Sequence, residues 1–227
     1  MHALTPNRRV FFSVVITCVA ALVVPGFAAG QPTEWDGLVR RDNPSVDMLF
    51  VLPEASLAGY KRVRLAPLQV AFHRDWNPNA TRRGANRLSA ADFERIRSTL
   101  AQAFATTAAA ELARGGYTVV TEAGEDVLDV TPFIVNLVIT APDTRTPGLT
   151  TFAANAGQMT LVAELLDSET GQVLARVVDH QRARSSGTFQ LTTTVSNLGA
   201  ARPIIARWAS ILREELDAAN GRGLGAR

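Results

Sequence analysis

Three residues of this chain stand in the order of a metal site. His73-Arg74-Asp75 followed by His180 supplies two imidazoles and a carboxylate, the set of a two-histidine-one-carboxylate iron centre with positions left open for oxygen and substrate. The HxD spacing is short and common, and that centre is usually built inside an all-β barrel. The expected role of His73, Asp75 and His180 is therefore that of solvent-facing loop and strand-end residues, with metal binding as the alternative. A serine triad would have to draw on the same two histidines, and Ser185-Ser186-Gly187 lacks the glycines of a nucleophile elbow. Glycosidase chemistry needs only two carboxylates, and Asp129, Glu164, Asp167 and Asp179 fall in or beside expected strands, where structural use of an acid is far commoner. Neither a phosphate-binding glycine loop nor a dinucleotide fingerprint occurs. Arg82-Arg83 and Arg182-x-Arg184 would hold an anion only if the fold brought them together, and solvated loop charge is the default. Trp76 and Phe152 sit in polar or small-residue loops, where an exposed aromatic would mark a partner surface. These readings give no catalytic residue, no cofactor and no metal, and leave Trp76, Arg82, Arg83 and Phe152 as candidate partner-binding residues.

The elements that must position them are uneven in strength. The surest is a helix opened by Ser89-Ala90-Ala91-Asp92, in which the serine hydroxyl accepts a first-turn N–H. It is carried by Phe93, Ile96, Leu100, Phe104, Ala108 and Leu112 at three-to-four spacing and ended by Gly115-Gly116. A second helix is expected over residues 199–219 with Ala201, Ile205, Trp208, Leu212 and Leu216 as its buried stripe and Pro203 in its first turn. Strands are expected over 61–72, with a register change at Pro67, then over 117–121 and 127–141. In the last of these, Phe133, Val135, Leu137 and Ile139 would share one face and Leu128, Val130, Ile134 and Val138 the other. Strands over 159–166 and 172–180, joined by Asp167-Ser168-Glu169-Thr170-Gly171, read as an antiparallel hairpin. The segment 142–157 is a low-charge loop long enough to be functional. This order predicts an α+β fold, a two-layer sandwich of a mostly antiparallel sheet of about five strands with two amphipathic helices on one face.

Residues 1–30 read as an export signal. Arg8 and Arg9 precede an apolar run from Val10 to Val24, and Pro25-Gly26-Phe27-Ala28-Ala29-Gly30 supplies small residues for cleavage. Asn7-Arg8-Arg9-Val10-Phe11-Phe12 is similar to a twin-arginine signal, an alternative to the general secretory route. Removal of residues 1–30 takes away Cys18, the sole cysteine, so the mature chain has no thiol chemistry. It also takes two arginines and no acid, so 23 basic and 21 acidic residues become 21 of each. With one lysine, Lys61, and no basic cluster, nucleic acid is excluded as a partner class. The expected organisation is a signal peptide over 1–30, an extended arm over 31–56 pinned by Trp35 and Phe50, an α+β domain over 57–220 and a flexible tail over 221–227.

Val46-Asp47-Met48-Leu49-Phe50-Val51, Leu57-Ala58-Gly59-Tyr60-Lys61-Arg62-Val63, Leu65-Ala66-Pro67-Leu68-Gln69-Val70-Ala71-Phe72 and Asp75-Trp76 form a recognisable series. With Leu88-Ser89-Ala90-Ala91-Asp92 and the hairpin Ala163-Glu164-Leu165-Leu166-Asp167-Ser168-Glu169-Thr170-Gly171, the chain resembles the domain-of-unknown-function 3313 family of bacterial envelope proteins and lipoproteins over about residues 35–217. The resemblance implies an envelope protein and brings no catalytic residue with it. Several members look like lipoproteins. Here Thr17 precedes Cys18 and the apolar run continues past it, which suits a lipidation site badly. The expectation is thus a periplasmic or secreted, non-catalytic module binding another envelope protein, not membrane-spanning, with an outer-membrane lipid anchor at Cys18 the lesser alternative. A periplasmic hydrolase using carboxylates or histidine, or a small-ligand carrier, are the competing readings.

Overall fold

Asp36 and Gly37 adopt φ of 52° and 79°, the paired positive values of a two-residue hairpin turn. They join β1 (Glu34–Trp35) to β2 (Leu38–Arg41), which pairs in turn with β3 (Met48–Val51). The computed structural model describes residues 33–80, 87–139, 157–182 and 194–222. Within them follow β4 (Arg62–Leu65), β5 (Gln69–Phe72), α1 (Ala90–Arg114), β6 (Thr118–Val119), β7 (Val127–Ile139), β8 (Gly157–Asp167), β9 (Val173–Arg182) and α2 (Thr194–Ala219). The strands form one sheet in the order β1-β2-β3-β9-β8-β7-β4-β6, with β5 also on β7.

This sheet corrects the expected sandwich of about five mostly antiparallel strands: it has nine strands among the described residues and is mixed. Two causes account for the difference. Residues read as an extended arm contribute β1, β2 and β3, and β3 pairs antiparallel with β9 through Phe50 opposite Arg176. In addition, β4 and β5 run parallel to β7, and β4 parallel to β6. The connection through α1 makes the chain cross over and return in the same direction, as parallel pairing requires. Ala66-Pro67-Leu68 divides β4 from β5, and the Ala66 N–H still reaches the Val130 carbonyl at 2.9 Å.

The caps of α1 follow from its sequence. Ser89 accepts from the Asp92 N–H, the Asp92 carboxylate accepts from the Ser89 N–H, and Gly115 ends the helix. α2 departs from expectation, because it starts at Thr194 and so has Pro203 in its interior. The ring removes one helical hydrogen bond there, a loss offset by burial of Ala201, Ile204, Ile205, Trp208 and Ala209 against the sheet and α1. The faces of β7 also differ from simple alternation. Asn136 takes φ 55° at a bulge between Val135 and Val138, which turns Leu137 and Ile139 onto the side of Ile134. Opposite it, Gly157 has φ 131°, and a Cβ there would stand 2.5 Å from the Val138 carbonyl oxygen.

Both helices pack on the sheet face that bears Ile134, Leu161 and Ala163. Most of the buried apolar residues among those described fall into two clusters. One is centred on Phe104, Ile134, Leu161, Ile205 and Trp208, the other on Val63, Leu112, Leu128, Leu165 and Leu216. On the opposite face Arg176 is buried between Glu164 (2.8 Å) and Asp36 (2.9 Å) with its guanidinium 4.2 Å over the Trp35 ring. Trp35 in turn meets Phe50 edge-on at 5.6 Å. These contacts hold the β1-β2 hairpin to the sheet.

Candidate functional site

The residues singled out from the sequence do not converge. His73 follows β5 and its Nδ1 accepts the Asp75 N–H at 3.2 Å, while the exposed Asp75 carboxylate pairs with Arg74. His180 is exposed on β9, bonded to Thr160 Oγ1 at 3.0 Å. β7 and β8 lie between the two histidines, a separation of three strand spacings or about 14 Å. Among the described residues no three His, Cys, Asp or Glu side chains are grouped to hold a metal. Trp76 folds back onto the domain, stacked on Phe72 at 4.9 Å and edge-on to Phe93 at 5.9 Å. Arg182 ends β9 as an exposed residue. Arg82, Arg83, Arg184, Phe152 and the loop 142–156 lie outside the described residues.

Each of the four strand acids is engaged. Asp129 accepts from Arg64 Nε at 2.7 Å and Glu164 from Arg176 Nε at 2.8 Å. Asp167 accepts from the Thr170 N–H and hydroxyl, both at 2.8 Å, and from the Tyr60 hydroxyl at 2.8 Å. Those bonds, the Thr170 N–H foremost, pull its carboxyl down to about 2. Burial, then the bond to Asp167, pushes the Tyr60 hydroxyl up to about 12. Asp179 is 1% exposed on the helix-covered face, where it accepts from Trp208 Nε1 at 2.7 Å, Arg207 at 3.0 Å and Gln181 at 2.8 Å. It ties α2 to β9, so this acid acts as a fastener.

A second polar set ties α2 to α1. Arg213 donates to Glu111 at 2.9 Å and to Asp217 at 2.6 Å, and Asp217 accepts from the Tyr117 hydroxyl at 2.9 Å. The hydrogen bond from Arg213 holds the Glu111 carboxyl below its ordinary range. Asn220 adds a third attachment, accepting from the Gly59 N–H and donating to the Tyr60 carbonyl.

Between α1, α2 and the sheet lies an apolar pocket of about 150 Å³, partly open to solvent. The void lies where small side chains meet. Its lining includes Ala163 of β8 and Ala175 of β9 from the sheet and Ala108 of α1 and Ala209 of α2 from the helices, together with Phe104 and Trp208. Its lining takes residues from both core clusters. Among the described residues the polar lining residues are few, Asn43, Ser56 and Glu215, and Asn43 Nδ2 donates to Glu215 Oε1 at 2.9 Å between the β2–β3 connection and α2. The pocket has the volume of an apolar cavity able to accept a six-carbon molecule such as benzene. It is the candidate site, and the sequence reading missed it. Its signal was alanine at the inward positions of Val162-Ala163-Glu164 and Leu174-Ala175-Arg176, where an alternating strand elsewhere carries a large residue.

The family model of a protein of unknown function, DUF3313, matches residues 29–212. No curated protein matches the chain. Among solved structures, a minor lipoprotein from Acinetobacter baumannii is similar at 10% identity, covering 74% of this chain and 97% of its own, with a TM-score of 0.36. The PelC dodecamer from Paraburkholderia phytofirmans matches at 12% identity, 71% and 94% coverage and a TM-score of 0.34. A putative lipoprotein from Caulobacter crescentus matches at 12% identity, 70% and 90% coverage and a TM-score of 0.32. Likeness this remote carries no inference about ligand or assembly. Among the described residues no helix is long and apolar enough to cross a membrane.

Proposed function

The chain belongs to the DUF3313 family and is a bacterial envelope protein, and from that premise we propose that it is a non-catalytic binding module whose α2–sheet cavity receives an apolar group of another envelope component. One observation carries the reading: an apolar pocket of about 150 Å³ lies between α1, α2 and the sheet. A packed interior normally leaves few voids larger than a water molecule. The engagement of Asp129, Glu164, Asp167 and Asp179 in ion pairs, turns and helix attachment further supports a non-catalytic role.

The test uses benzene as probe. A ligand that binds only the folded state raises the melting temperature with its concentration. The parent should show a saturable rise in Tm with benzene, and Ala163→Leu, which fills space in the cavity, should show none. The same response in both would remove the cavity as the site. The mature chain is proposed to be a periplasmic protein beginning near Gln31, supported by the small residues before it and by the poor lipidation context of Cys18. Intact mass of the protein from its native envelope is expected to match an unlipidated chain, and an acylated Cys18 terminus would overturn this.

A further inference from the structure

We infer that the apolar group this cavity receives is the short tail of an amphiphilic envelope component, a linear hydrocarbon of about six carbons whose head group is neutral or cationic. The inference rests on the binding-module reading and adds the class of ligand. Size comes from the volume, about 150 Å³, room for about six carbons. Shape comes from the lining, which crosses four neighbouring strands through Val130 of β7, Ala163 of β8, Ala175 of β9 and Val51 of β3. A gap running across strands beneath a helix suits a chain better than a compact ring. Apolarity of the buried end comes from the absence of an open polar group among its described buried lining residues. The Trp208 indole N–H, the one side-chain donor there, is already spent on Asp179. A polar tail atom in that space would go unpaired, at a cost that selects against it.

The head group is read from the mouth. Among the described residues of the lining Glu215 is the sole charged one, exposed on α2, and Asn43 spans to it from the β2–β3 connection. An amphiphile seated tail-first leaves its head beside that carboxylate. An ammonium or hydroxyl is accepted there, and a carboxylate head meets a like charge. Electrostatics at an exposed mouth is screened by water, so the selectivity expected is several-fold rather than absolute.

The experiment titrates the full mature chain with hexylammonium, hexanol and hexanoate at pH 7 and low salt, reading saturable shifts of its methyl NMR signals. Hexylammonium and hexanol should bind, with hexanoate at least about fivefold weaker than hexylammonium. In Glu215→Gln, whose side-chain carbonyl can still accept from Asn43, the three should fall within about twofold of one another with hexanol unchanged. Equal binding of hexanoate and hexylammonium by the parent, or a preference that survives Glu215→Gln, would overturn the head-group assignment. Uptake of benzene without any of the three chains would overturn the ligand class and leave the cavity reading standing. Failure of benzene as well would remove both.

Discussion

Replacing Ala163 by leucine puts three more carbons into the cavity, and the sign of its effect on stability separates a genuine void from a tightly packed core. The pocket of about 150 Å³ is partly open to solvent, so carbons added to its apolar lining displace water from it. Each added carbon buried there gains about 0.8 kcal/mol, or about 2.4 kcal/mol for three. Fixing the leucine rotamer takes back about 0.5–1 kcal/mol. The net expectation is a gain of about 1–2 kcal/mol, which for a domain of this size raises Tm by roughly 2–8 °C. Inserting the same carbons into a filled core costs about 1–3 kcal/mol instead, so the two cases differ in sign. Thermal unfolding followed by circular dichroism, parent against Ala163→Leu without ligand, reads the difference. A melting temperature at or below that of the parent would refute the reasoning, because it would mean that the space beneath α2 cannot accommodate a leucine.

Further expectations follow from the fasteners and the caps. Asp179→Ala leaves the buried Trp208 indole N–H and Arg207 without their acceptor and should cost about 3 kcal/mol in urea unfolding, with Asp179→Asn, which keeps an acceptor, costing about half. In Gly115→Ala the new Cβ would stand 2.8 Å from both Arg213 Cγ and the Tyr117 ring, so a loss of about 1–3 kcal/mol is expected by the same measurement. Leu100→Asp places a charge in the packed stripe of α1, and loss of cooperative melting is the expected result. Asp167, held at about 2 against its ordinary 3.8, contributes stability that is full above pH 4 and lost as pH falls towards 2. Tyr60, raised from 10.0 to about 12, contributes stability that is full below pH 10 and lost as pH rises through 12. Melting profiles against pH should therefore fall at both ends, with the alkaline fall reduced in Tyr60→Phe.

Local signals in the sequence determined local structure. Ser89 and Asp92 set the start of α1 because their capping bonds span three residues, and Gly115 sets its end. Asp167 through Gly171 set the β8–β9 hairpin because the turn is closed by its own side chains, Asp167 on Thr170. The periodic stripes Leu100, Phe104, Leu112 and Ile205, Trp208, Leu216 told which helix faces would be buried. The Asp36-Gly37 turn was equally local, and with it β1 and β2 were open to reading, but β3 acquires its strand partner β9 from more than a hundred residues away. Pairing of β4 and β5 with β7, and the shift of Leu137 onto the core side at Asn136, depend on which strands meet across the α1 crossover. The cavity lies furthest from the sequence. Ala108, Ala163, Ala175 and Ala209 are unremarkable one at a time, and they line one pocket only because four separate elements bring them together. Period and caps are properties of neighbouring residues, whereas empty volume is a property of side chains that meet only after the chain has folded.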